Sequence, residues 1–85
     1  MSVTYFVNAS EQHSTDFNVS NVNHASIMTS AGLEVDYCGE VEFDRFLWGV
    51  GQTYLGSPYF HAKVEAAKDL VRYARQLGLT KLHFG

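Results

Sequence analysis

The chain has 85 residues, 46% of them hydrophobic, and a formal net charge of −3. That suffices for one small core and a single domain over residues 1–85, not for two, and a chain this short buries only about 60 to 65% of its unfolded surface, so its margin of stability is narrow. The lone Cys38 excludes a disulfide framework and a thiolate metal cluster, and no run approaches the roughly 20 apolar residues of a membrane span.

The opening MSVTYFVNAS has no basic stretch followed by an apolar one, so a cytoplasmic setting is expected. Val3, Tyr5 and Val7 alternate with Thr4, Phe6 and Asn8, which predicts a strand; because Phe6 is also apolar, burial on both faces is expected. Residues Ala9 to Thr15 are polar and read as a loop. Phe17 and Val19 alternate with Asn18 and Ser20 in a second strand that runs into a helix. Ser20, Asn21 and Asn23 offer side-chain oxygens for capping its first turn, and His24, Ile27, Met28 and Ala31 share one face. Gly32 is suited to the left-handed residue that ends a helix, with Leu33 folding back on it.

In LEVDYCGEVEFD, Val35 and Tyr37 oppose Glu34 and Asp36, which predicts a half-exposed strand ending at Cys38-Gly39. The segment from Glu42 to Leu55 fits a helix better than a strand, because Phe43, Phe46, Leu47, Val50 and Tyr54 fall on one stripe. Gly49 and Gly51 each cost a helix about 1 kcal/mol relative to Ala, so they imply either close backbone packing or a weak point. Gly56-Ser57-Pro58 is a stop-and-start signal for a final helix to about Leu77. Its apolar side carries Val64, Ala67, Leu70, Val71, Ala74 and Leu77, with Gly78 and Leu79 closing it and Lys81 to Phe84 as a last strand. Lys63, on the apolar side, is expected to snorkel its ammonium to water. The elements add up to an α+β fold, a single two-layer domain with a three- or four-stranded sheet covered by about three helices.

Charge is divided along the chain. Residues 1–44 hold seven acids and no Lys or Arg, a formal −7, whereas residues 45–85 hold all six basic residues against Glu65 and Asp69, a formal +4. Either the halves neutralise each other within the fold or they face partners. The acidic cluster Glu34, Asp36, Glu40, Glu42 and Asp44 is solvent-facing polarity, a surface for a basic protein, or a site for a hard cation. Its spacing does not match a calcium loop.

Three short motifs, Asn18-Val19-Ser20-Asn21-Val22-Asn23-His24-Ala25, Ala31-Gly32-Leu33 and Cys38-Gly39-Glu40-Val41, give the chain a resemblance to a group of small uncharacterised bacterial and phage domains. The resemblance spans about residues 17 to 85 and departs at Ser30, where a leucine is expected. It implies a helical Glu42–Leu55 and a prokaryotic or phage setting, and it carries no catalytic assignment.

The residues supply no catalytic constellation. His13, His24, His61 and His83 are scattered, His61 with Glu65 makes only two ligands, and Cys38 has no neighbour that would activate it. On the helical reading Trp48 points away from the apolar stripe, beside Arg45 and Gln52, the composition of an interface hot spot; the competing reading covers it with the final helix or the Gly56–Phe60 loop. The expected function is a small non-enzymatic module that binds another protein, of inhibitor or adaptor type, without cofactor or metal and able to form a homodimer. One alternative is sequestration of a phosphorylated ligand or nucleotide at Ser20, Asn21 and Asn23, where helix N–H groups favour anions. A metal-dependent enzyme is the remaining alternative, and the net negative charge disfavours binding to nucleic acid.

Overall fold

A computed structural model describes residues 1–85. Seven elements follow in the order β1 (Ser2–Phe6), β2 (Phe17–Ser20), α1 (Asn21–Ser30), β3 (Gly39–Glu42), α2 (Phe43–Thr53), α3 (Phe60–Gln76) and β4 (Lys81–Phe84). The strands form one antiparallel sheet in the order β2-β1-β4-β3, which places the C-terminal strand inside the sheet and leaves β2 and β3 at its edges. Alternation decides which face is covered. Val3, Tyr5, Phe17, Val19, Val41, Leu82 and Phe84 point to the helices and are buried, so the domain is a two-layer α+β fold with one sheet face open.

Phe6 belongs to that open face. It is half-buried rather than enclosed, and its ring stacks on His83 of β4, 5.8 Å between centroids. The expectation of burial on both faces fails because no second layer covers this side.

The ends of α1 and α3 use the same device. Gly32 (φ 75°) follows α1 and Gly78 (φ 76°) follows α3. In each case two backbone bonds close the end: Gly32 N–H to Thr29 and Leu33 N–H to Met28, then Gly78 N–H to Arg75 and Leu79 N–H to Ala74. Leu33 packs on the core, whereas Leu77, at the cap position, is 54% exposed and is not part of the buried stripe. The regular part of α3 starts at Phe60, two residues after Pro58, because Ser57 Oγ accepts the Tyr59 N–H and forms a preliminary turn.

The strand expected over Leu33 to Cys38 does not form. Those residues run as an irregular loop, and pairing begins only at Gly39, opposite Phe84. The cause lies in one contact that ties the loop to α1, with a special backbone conformation at the loop's end. His24 Nε2 donates to the Asp36 carbonyl, and Gly39 adopts φ 152°, where a Cβ would stand 3.4 Å from the Phe84 ring.

His24, fully buried, is also bonded through Nδ1 to the Tyr5 hydroxyl at 2.6 Å. Because Nε2–H is committed to a carbonyl, Nδ1 is the acceptor and the phenol donates. Both buried polar groups are thereby satisfied. Burial, and then the nearby Tyr54, raise the Tyr5 phenol well above its ordinary range.

Helix α2 lies between α1 and α3 and runs antiparallel to α1. Four contacts mark that pairing in order: Arg45 Nη1 to the Ala31 carbonyl at 2.8 Å, Gly49 on Ile27, Thr53 Oγ1 to Ser26 Oγ at 2.9 Å, and Asn23 Nδ2 to Tyr54 Oη at 3.2 Å. The long β1–β2 connection is pinned to α3 instead, by His13 stacking on Tyr73 at 3.9 Å.

Candidate functional site

Helical geometry sorts the residues of α2 by direction. Phe43, Phe46 and Val50 are buried against the sheet, Gly49 meets α1, and Leu47 leans toward α3. What remains outside is a ridge of Asp44, Arg45, Trp48, Gln52 and, just past the helix, Leu55. Trp48 is 60% exposed and Leu55 67% exposed. The reading that places Trp48 under the final helix or the following loop is therefore not the one found. Tyr59, in the next turn, is similarly open.

Arg45 stands in this ridge with its guanidinium partly engaged. Helix α1 has no basic residue in its own last turn, and Arg45 supplies the charge from α2 by bonding the otherwise unpaired Ala31 carbonyl. Gln52 makes no side-chain hydrogen bond and is exposed beside Trp48. Both thus frame the indole, Arg45 as a bonded neighbour and Gln52 as an unbonded one.

Beside the ridge, Leu47 of α2 and Lys68, Val71, Arg72 and Arg75 of α3 line a groove of about 300 Å³. Its floor is apolar and its rim basic. Arg75 lies over the Phe43 ring, 5.4 Å from its centroid, and reaches Asp44 at 4.0 Å. Lys68 and Arg72 pair only with Glu65 and Asp69 of their own helix, at 3.6 and 2.7 Å, and every member of those pairs is about half exposed. Such surface pairs contribute little and exchange readily.

The acidic cluster is divided by the fold. Glu40 and Glu42 sit on β3, opposite His83 and Lys81 of β4, with His83 Nδ1 4.0 Å from Glu40. Glu34 and Asp36 lie in the loop before β3, flanking Val35 and Tyr37, which are 38% and 54% exposed. No group of three or more His, Cys, Asp or Glu residues is placed to hold a metal ion. Neutralisation within the fold is slight: of the four ion pairs, only Asp44 with Arg75 joins the acidic half of the chain to a Lys or Arg.

At the start of α1, Ser20 Oγ accepts the Asn23 N–H at 3.2 Å and the Asn23 amide is bonded to Tyr54, leaving Asn21 alone of the three without an internal side-chain bond. Capping accounts for Ser20 and packing for Asn23. Lys63 sits with its ammonium 5.6 Å from the centroids of both Phe17 and Tyr54, a cation held over two rings rather than one simply led to water. Cys38 is exposed. Asp16 Oδ1 is the one buried side-chain oxygen without a partner, at the edge of a hollow on the open sheet face, while its Oδ2 accepts the His13 N–H.

No family model, curated protein or solved structure matches the chain. No helix is long and apolar enough to cross a membrane. The outer face of α2 with its adjoining groove is the surface that the geometry singles out. The sequence pointed to Trp48, Arg45 and Gln52, but not to the groove, which exists only once α2 and α3 are side by side.

Proposed function

We propose that this domain is a small non-enzymatic protein-binding module, an inhibitor- or adaptor-type factor whose partner contacts the outer face of α2 around Trp48. The observation that supports this most is the exposure of the single tryptophan on a helix whose other aromatics, Phe43 and Phe46, are buried. A large aromatic beside an arginine, ringed by polar residues, is the composition that dominates binding energy in interfaces. Self-association belongs to the same reading, since a small core gains stability from a second copy.

The test is a partner captured from the native host with the domain as bait, followed by titration of purified components. Trp48→Ala should leave the melting temperature nearly unchanged and weaken the complex by about 2 kcal/mol, or roughly thirtyfold in Kd. A loss of about 3 to 5 kcal/mol of folding stability would identify Trp48 as a packing residue and remove the proposal. Thermal-shift screening against nucleotides addresses the competing phosphate reading, because a ligand of the folded state raises the melting temperature.

A further inference from the structure

The loop before β3 holds carboxylates left without a cationic neighbour, and the same chain carries a groove that matches them. No Lys, Arg or His nitrogen lies within 4.0 Å of the carboxylates of Glu34 or Asp36. Between them the segment Glu34-Val35-Asp36-Tyr37 exposes Val35 and Tyr37, so carboxylates and apolar side chains alternate along it. The segment is irregular but not loose, because the Asp36 carbonyl is fastened to the buried His24. The groove of Leu47, Lys68, Val71, Arg72 and Arg75 has the complementary make-up, an apolar floor under a rim of three cations whose present partners are exposed.

We infer that a second copy of this chain docks its Glu34–Tyr37 loop into the α2–α3 groove, with the Tyr37 ring on the half-exposed Leu47 and the Glu34 and Asp36 carboxylates on Lys68 and Arg72. Preordering of the loop by His24 lowers the entropy lost on docking. The pairs are exposed and screened by salt, so the contact is weak singly and depends on ionic strength.

The fold also sets the symmetry. The loop is tied to α1, the groove lies between α2 and α3, and α2 separates the two flanks. Donor and acceptor surfaces on different flanks of α2 do not form one self-complementary patch, so the contact is heterologous rather than two-fold. The association is head to tail and grows beyond a dimer. This inference extends the self-association part of the proposed function, but it rests on residues other than Trp48.

Sedimentation velocity of three full-length chains at low salt and high concentration tests it. The native chain should increase in mass past the dimer and return to monomer at about 0.5 M salt, where the screening length is only a few ångströms. The groove variant Lys68→Glu/Arg72→Glu and the loop variant Glu34→Gln/Asp36→Asn/Tyr37→Ser, each confirmed folded by circular dichroism, should both be monomeric alone. Mixed, they retain one intact loop and one intact groove and should give a 1:1 complex that grows no further. A native chain that stays monomeric, an assembly that either variant leaves intact, or a mixture that does not pair would each overturn the inference. A monomeric protein that still binds its host partner through Trp48 would refute this contact and leave the proposed function standing.

Discussion

Gly49 and Gly51 stand two residues apart on one helix, and the structure predicts opposite signs for the same substitution at each. At Gly51 an added Cβ meets nothing within 4 Å, so alanine contributes its better helix propensity, about 0.5 to 1 kcal/mol. At Gly49 the Cβ would overlap the Ile27 carbonyl oxygen and come within 2.8 Å of Ile27 Cγ2. The obstacle is backbone of α1, which is held along α2 by the Arg45, Thr53 and Tyr54 bonds and cannot yield as a side-chain tip can. Overpacking of this kind costs about 1 to 3 kcal/mol, and the propensity gain offsets only part of it. Gly49→Ala should therefore destabilise by about 1 to 2 kcal/mol while Gly51→Ala stabilises by up to about 1. For a domain of this size each kcal/mol moves the melting temperature by roughly 4 to 8 °C, so the two variants should separate by about 10 °C or more in a thermal melt. Two shifts of the same sign would refute the close α1–α2 approach.

Other expectations follow from single contacts. Tyr5→Phe leaves the buried His24 Nδ1 without a donor and should cost about 1 to 3 kcal/mol in urea unfolding; a neutral result would mean that the 2.6 Å bond is absent in solution. Burial keeps the Tyr5 and Tyr54 phenols protonated above their ordinary range, with the Asn23 bond partly opposing this at Tyr54. Above about pH 10 the unfolded chain then releases protons that the folded state retains, so stability is complete below that pH and falls above it, by at most about 1.4 kcal/mol per pH unit for each tyrosine. Tyr5→Phe should flatten this alkaline slope in a pH series of denaturant melts. Ser20→Ala removes the α1 cap and should cost about 1 kcal/mol by the same measurement, an unchanged midpoint arguing that water replaces the hydroxyl.

Local periodicity was legible where an element is stabilised by its own pattern. Ser20 as a cap, Gly32 and Gly78 as terminators and the Phe43, Phe46, Val50, Tyr54 stripe are all decided within one or two helical turns, and the structure bears them out. The Glu34–Tyr37 alternation fitted a strand equally well on local grounds. What defeats it is His24, twelve residues earlier in sequence than Asp36, which no periodicity connects to that carbonyl. The fate of the two glycines was undecidable for the same reason: close packing and a weak point were both on offer, and Gly49 is closely packed while Gly51 has no neighbour where a Cβ would stand. Of the candidate site, the outward direction of Trp48 was readable from the helical wheel. The groove beside it was not, since it needs the placement of α3 against α2.

The position of Trp48 acquires weight from how its helix is held. An exposed aromatic on a loose element would lose much of its contact energy to ordering when a partner arrives. Helix α2 is instead fixed along its length, with Arg45, Gly49, Thr53 and Tyr54 engaged on α1 and Phe43, Phe46 and Val50 buried over the sheet. The Gly49 contact matters most in this respect, because the absence of a side chain lets the two backbones approach, while the neighbouring ridge of α2 that carries Trp48 stays turned to solvent. A residue that weakens the helix by propensity thereby steadies the surface that carries the indole. If so, Gly49→Ala should weaken partner binding at temperatures well below its melting transition, by displacing Trp48 without touching it, whereas Gly51→Ala, which adds only a methyl group beside the ridge, should leave the affinity within about twofold. Equal affinities for the native chain and Gly49→Ala, measured on fully folded samples, would show that the ridge binds without needing the rigidity behind it.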